Sequence, residues 1–264
     1  MRITVFGATG PTGRQLTDQA LAAGHLVTAV SRRADALAPR TGLTVAGVDV
    51  ADAHAVAAAV AGSDAVVSAL GVPPTRESVT VYSDGVRNIF AGMEQHGVKR
   101  LLAVSSSVTD PAWRPTGEHF FNLVMDPLVN RRIAKTAHDD MRRMEALMRT
   151  SDLDWTIVRP GGLFEHHEVT NFEVGEDSVD GLYTARTDLA AAMLSQLEDD
   201  RFIGKAMGVA TRDVPMSIPR LILRQVKAEK KAKAEAKAKA EAKAKAQTKA
   251  DTRKNANAPQ KAGK

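Results

Sequence analysis

Gly7-Ala8-Thr9-Gly10-Pro11-Thr12-Gly13 follows directly on Met1-Arg2-Ile3-Thr4-Val5-Phe6. Ile3, Val5 and Phe6 give the leading stretch the β-branched and aromatic bulk of a short buried strand. Beyond the glycines, Leu16, Ala20 and Leu21 recur at helical spacing between Arg14 and Ala23, and Gly24 stops the run. Strand, glycine loop and helix form the arrangement that cradles a pyrophosphate. Gly7 permits the sharp turn, Gly10 lets backbone approach phosphate, and Gly13 lets the helix pack close to the strand. The free N–H groups at the positive end of the helix then face the anion, and Pro11, which has none, suits its first turn. Thr9 and Thr12 complete the cofactor-binding candidates of the loop. Glycines alone mark any tight turn of an α/β protein; the flanking strand and helix point to a dinucleotide.

The alternation continues outward. Leu26–Val30, Leu43–Val48, Ala65–Leu70, Leu101–Val104, Trp155–Val158 and Ala206–Ala210 read as further strands. Ala53–Ala61, Ser78–His96, Arg131–Arg149 and Thr187–Leu197 read as helices, the first two closed by Gly62 and Gly97. Strands and helices in this order predict an α/β fold with a doubly wound parallel sheet and right-handed crossovers. Ligands of such sheets bind at the carboxyl ends of the strands. The polar stretch 165–181 reads as a small C-terminal substrate lobe over that cleft.

Composition narrows the setting. The 264 residues contain no cysteine, which excludes disulfides, thiolate metal sites and cysteine nucleophiles. No apolar run approaches the length of about 18 residues that marks a membrane span, and an immediate strand with no room for a secretory signal is the expectation at the start. The expected compartment is cytoplasmic. The formal charge of +5 is unevenly spread. Residues 227–264 hold 13 Lys and Arg against 4 Asp and Glu, so the basic character belongs to a tail and the body 1–226 is mildly acidic. In that tail Lys-Ala-Lys-Ala-Glu-Ala begins at Lys231 and again at Lys237, and Glu229/Lys233, Glu235/Lys239 and Glu241/Lys245 are helix-favouring pairs. A solvated, marginal helix with weak non-specific attraction for nucleic acid is the expectation, or a tail that only solubilises.

The end of the second strand selects the cofactor. An acid there suits the ribose hydroxyl of NAD, whereas arginines suit the extra phosphate of NADP. This chain has Ser31, Arg32 and Arg33, so NADPH is expected over NADH unless both arginines are merely solvated. Asp49 and Val50, past the third strand, stand where this fold contacts adenine, although Asp49 also suits the start of the following helix. Ala69, Leu70 and Gly71 end the fourth strand with little bulk beside the ribose, which a plain strand-ending glycine also explains.

The stretch Asp140–Leu163 ends in Trp155-Thr156-Ile157-Val158-Arg159-Pro160-Gly161-Gly162-Leu163. With the glycine loop, it resembles the NAD(P)H-binding group of atypical short-chain dehydrogenase/reductases, which includes NmrA-like proteins and the biliverdin reductase B/flavin reductase type. The resemblance covers residues 1–210 and implies a Rossmann-like fold, with Pro160, Gly161 and Gly162 against the nicotinamide. It also implies a serine after the fifth strand, best matched by Ser107, with Ser105 beside it as a cofactor contact. The superfamily's Tyr-x-x-x-Lys proton donor does not carry over, since the matching positions are Ala137 and Met141. Biliverdin/flavin-type reductases also lack that pair and still pass hydride.

These readings imply an NADPH-dependent oxidoreductase passing hydride to a small, conjugated, quinone- or flavin-like substrate, with Ser107 and His138 as candidate catalytic residues. The alternative is an NmrA-like regulatory protein that senses dinucleotide without turnover. His138-Asp139-Asp140 suits either a proton relay or the solvated start of a helix. Glu165-His166-His167-Glu168 has metal-binding residue types, but adjacent side chains diverge and helical zinc-site spacing is missing, so no metal is expected. The residues leave the oligomeric state open.

Overall fold

A computed structural model describes residues 1–73, 75, 77–116 and 134–214. Strand β1 (Arg2–Phe6) pairs in parallel with β2 (Leu26–Ser31) on one side and β4 (Ala65–Ser68) on the other. Outward from these lie β3 (Leu43–Gly47), β5 (Arg100–Val104), β6 (Asp154–Pro160), β10 (Lys205–Thr211) and β8 (Phe172–Glu176). The eight-stranded order is β3-β2-β1-β4-β5-β6-β10-β8, and every pairing is parallel except that of β8 with β10. The winding reverses between β1 and β4, which sets the ligand crevice at their carboxyl ends.

Helices cover both faces. Ile3 and Val5 of β1 face α1 (Pro11–Ala22) and α5 (Arg186–Ser195), where Leu16, Ala20, Leu189 and Met193 are fully buried. Phe6 points the other way, into a layer built by α2 (Ala53–Val60), α3 (Val81–His96) and α4 (Lys135–Arg149). That two-residue alternation with both faces covered is why the strands read as continuous apolar runs. Val86, Ile89, Met93, Met144 and Met148 fill the second layer, each worth roughly 1.5–3 kcal/mol of burial if fully removed from water.

The expected elements are present with shifted ends. The fourth strand stops at Ser68, so Ala69–Gly71 lie beyond its end. The stretch expected as a lobe over the cleft instead supplies β8, the antiparallel edge of the main sheet. Its flanks connect to a separate parallel pair, β7 (Gly162–Phe164) with β9 (Tyr183–Ala185). Asp52, and not Asp49, caps α2 by accepting from the Ala55 N–H at 3.0 Å.

The start of α4 also differs from a solvated acidic run. Asp139 is paired at the surface with Lys135 and Arg142, but Asp140 is wholly buried. The described residues fall within one compact unit. The tail from Lys227, with its expected helix and nucleic-acid contact, lies outside the described residues, as do Arg131–Ile133. Among the described residues, no helix is long and apolar enough to cross a membrane.

Candidate functional site: a dinucleotide cleft

The glycine loop is shaped by close approach. Gly7 adopts φ +75°, and a Cβ there would lie 2.4 Å from the Ala69 carbonyl oxygen, so no other residue fits. A Cβ on Gly13 would lie 2.2 Å from the Gly7 oxygen, which is how tightly α1 closes on the loop. At Gly10 a Cβ would meet only the Gly7 oxygen, at 3.2 Å, and otherwise fill the crevice. The loop is tied to β2 by Gly7 and Ala8 N–H bonds to the Val30 carbonyl, 3.1 and 3.2 Å. Helix α1 starts with Pro11, has no side-chain cap and carries no acid in its first turn. Its positive end is therefore uncompensated and suits an anion.

The residues expected on the adenosine side lie at or just past the ends of β1, β2 and β3. Thr9 and Ser31 hydroxyls pair at 2.6 Å, and Ser31 Oγ also accepts the Arg33 N–H at 3.2 Å. Arg32 and Arg33 are exposed, and neither has a carboxylate partner among the described residues. Arg14 joins them from α1, donating to the Thr9 carbonyl at 3.1 Å and the Ala36 carbonyl at 3.2 Å. Sequence reasoning missed Arg14 because a helix-face arginine is ordinarily just solvated.

Asp49 accepts the Ala51 N–H at 3.0 Å, and Asn88 fixes the Val50 carbonyl at 2.8 Å. Gly85 lets α3 approach, since a Cβ there would stand 2.9 Å from Leu70 and 3.0 Å from Val50. A cleft of 630 Å³ opens here, lined by Asp49, Val50, Val72, Val79, Asp84 and Gly85. A smaller depression of 360 Å³ lies at the opposite, amino ends of the strands, away from every candidate residue.

The other end of the crevice is braced from behind. The Gly161 N–H donates to Thr184 Oγ1 at 3.0 Å and the Gly162 N–H to the Leu182 carbonyl at 2.7 Å. A Cβ on Gly161 would come within 2.6 Å of that carbonyl oxygen, so the turn after Pro160 lies flat against β9 and its approach.

Under the turn, Arg159 meets Glu145 of α4, with Nη2 to Oε2 at 2.6 Å and Nε to Oε1 at 3.1 Å. Ser105 Oγ and Thr109 Oγ1 each donate to Glu145 Oε1 at 2.6 Å. Burial alone would raise the Glu145 carboxyl, but the Arg159, Ser105 and Thr109 hydrogen bonds outweigh it and hold the group below its ordinary value. Burial likewise works against the Arg159 charge, and Glu145 with Asp110 and Asp177 more than restores it.

This network decides where the serines sit. Ser105 is buried and spent on Glu145. Ser107 is 2% exposed and donates to the Arg159 carbonyl at 3.0 Å. Both lie at the carboxyl end of β5, next to the Pro160 turn, with their hydroxyls committed to protein partners. Ala137 is buried, and Met141 packs against the same apolar cluster. His138, half-buried, lies in the first turn of α4, its N–H on the Ala134 carbonyl. Among the described residues no group of His, Asp and Glu is placed to hold a metal ion.

One further side chain reaches the glycine loop. Arg186, the first residue of α5, donates from Nη1 to Thr12 Oγ1 at 2.9 Å and from Nε to Glu165 Oε1 at 2.7 Å. A cation on the positive end of a helix was the available signal, because the dipole disfavours it there.

The geometry fits a nicotinamide dinucleotide: a glycine cradle with open space at Gly10, an uncapped helix end, arginines without a carboxylate partner among the described residues and a flat Pro-Gly-Gly wall. The chain is similar to several known proteins. YwnB of Bacillus subtilis strain 168, an uncharacterized protein, is 26% identical over 208 residues, covering 75% of this chain and 92% of that one. A wide-type short-chain dehydrogenase/reductase from Veillonella parvula, solved with NADP, superposes with a TM-score of 0.66 at 18% identity, over 80% of this chain and 95% of that one. ChuY, an anaerobillin reductase from Escherichia coli O157:H7, gives 0.62 at 22% identity, over 82% and 100%. A family profile described as NAD(P)H-binding matches residues 7–200, most of the chain. The chain belongs to this NAD(P)H-binding family.

Proposed function

We propose that the chain is an NADPH-dependent reductase that passes hydride to a small conjugated acceptor of quinone or flavin type. The observation that carries the acceptor class is on α4. At the positions matching the proton-donor pair, Ala137 is buried and Met141 packs against the same apolar layer. The nearby Ser107 hydroxyl is directed into the Arg159 carbonyl. A simple ketone needs a proton from a positioned acid as hydride arrives, whereas a conjugated acceptor spreads the charge and takes its proton from water. When bound, the nicotinamide supplies the hydride. The chain's own part is to hold the pyrophosphate at the α1 end, to take the 2′-phosphate between Arg32 and Arg33, and to offer the Gly161–Gly162 backbone as a wall. The neighbour solved with NADP and the neighbour described as an anaerobillin reductase support cofactor and reaction class.

The test is a screen of the full chain with NADPH against quinones, free flavins, aldehydes and ketones, following loss of nicotinamide absorbance. Turnover of quinone or flavin without ketone turnover is expected. Ser107→Ala should slow it by at most about 10²-fold, the low end for one acid–base group. Brisk ketone reduction would contradict the acceptor class. Tight NADPH binding with no oxidation by any acceptor would support the sensing alternative instead.

A further inference from the structure

Arg186 opens α5, and an arginine in a first turn sits at the end of the helix where its charge is disfavoured. Asp188 supplies an acid in the same turn, and Glu165 is the carboxylate that pairs directly with Arg186. The ion pair is asymmetric, for the Arg186 side chain is 21% exposed and Glu165 54% exposed. The fixed partner is Thr12, in the first turn of α1, directly beside the backbone that faces the phosphate position. With Nε on Glu165 and Nη1 on Thr12, Nη2 has no partner among the described residues. A guanidinium with free donors beside an uncapped helix end matches phosphate geometry.

Among the described residues no other arginine reaches Thr12. Arg14 is turned toward the Thr9 and Ala36 carbonyls, and Arg32 and Arg33 lie past the end of β2. Nor does the loop carrying Glu165 depend on its carboxylate. Asp188 accepts the Thr170 N–H and hydroxyl at 2.7 and 2.8 Å, and Thr187 Oγ1 donates to the Glu168 carbonyl at 2.9 Å. Glu165 can therefore swing away while the segment stays anchored.

We propose that Arg186 is a cofactor-binding cation of the pyrophosphate subsite, and that Glu165 is its resting counter-ion, displaced when a pyrophosphate enters. The inference rests on the dinucleotide reading of the glycine loop. It gives the two members of one ion pair opposite effects on affinity, which a merely structural pair would not show. It also couples cofactor entry to the segment between β7 and β8.

The experiment titrates the full-length wild type, Arg186→Gln, Arg186→Lys and Glu165→Gln with NADPH, NADH, ADP and adenosine 2′-monophosphate. The first three probes carry a pyrophosphate and the last does not. Arg186→Gln should weaken NADPH, NADH and ADP by a common factor of roughly 10–100, the span of a charge-assisted hydrogen bond. Binding of adenosine 2′-monophosphate should be unchanged. Arg186→Lys should fall between wild type and Arg186→Gln, and Glu165→Gln should tighten all three pyrophosphate probes severalfold. Unchanged pyrophosphate affinity in Arg186→Gln, equal loss of adenosine 2′-monophosphate, or weakening in Glu165→Gln would each overturn the proposal. A wild type that binds none of the four overturns the dinucleotide reading itself, while Arg186-independent binding of all four overturns only the role of Arg186.

Discussion

Glu145 on α4 faces Arg159 on β6 across a 2.6 Å Oε2–Nη2 contact, and both side chains are 7% exposed. The pair fastens α4 to the strand whose end makes the Pro160–Gly162 wall, and Ser105 and Thr109 hang from the same carboxylate. Removing one partner of a buried pair leaves the other charged and uncompensated. Glu145→Gln should therefore cost about 3 kcal/mol at neutral pH, the low end for such a loss, since Asp110 still faces Arg159 at 3.6 Å. Because the folded Glu145 carboxyl is held below its ordinary value of 4.5, its contribution is present above that pH and is lost as pH falls through the depressed value. Denaturant titrations of wild type and variant should thus diverge at pH 7 and converge in acid. A gap that stays constant with pH would contradict the ion pair.

Gly13 and Gly10 separate fold from binding. A methyl group on Gly13 would stand 2.2 Å from the Gly7 oxygen, so Gly13→Ala should destabilise the domain by at least 1–3 kcal/mol, about the cost of overpacking, and abolish cofactor binding. On Gly10 the same methyl meets one oxygen at 3.2 Å and otherwise the crevice. Gly10→Ala should keep a near wild-type melting temperature and lose NADPH affinity by about tenfold or more. Equal thermal losses in the two variants would show that Gly10 is structural.

Helix α3 is capped from another helix. Asp140 Oδ2 accepts the Tyr82 and Ser83 N–H groups at 2.9 and 3.3 Å, and Oδ1 accepts the Ser83 hydroxyl at 2.5 Å. The local cap residue, Thr80, makes no side-chain cap bond. Asp140→Ala should cost about 2 kcal/mol or more, the upper range for a lost cap, whereas Thr80→Ala should cost less than about 0.5 kcal/mol. Chemical denaturation of the two variants decides between them, and a reversed order would contradict the assignment.

Such contacts mark the limit of what the chain discloses unfolded. The glycine loop, the strands and the arginines after β2 are legible because each is written within a dozen consecutive residues. Asp140 and Glu145 look like ordinary surface acids on a charged helix, and their partners arrive from α3, β5 and β6. β8 carries Phe172 and Val174 in strand alternation, but Glu173 and Glu176 between and beside them disguise it, as charges on an edge strand do. Arg186 shows in the sequence only as a cation at a helix start, because its partner Thr12 lies 174 residues away. Local signals locate the crevice; distant pairings decide which side chains remain free to act in it.

Capture of NADPH at the strand ends through Arg32 and Arg33 can be read by equilibrium titration of the full chain with NADPH and NADH. The wild type should prefer NADPH. Arg32→Ala combined with Arg33→Ala should weaken NADPH by roughly tenfold or more while NADH changes less than about twofold, since only NADPH offers the 2′-phosphate. A wild type that prefers NADH, or a double variant that loses both cofactors equally, would contradict that role for the two arginines.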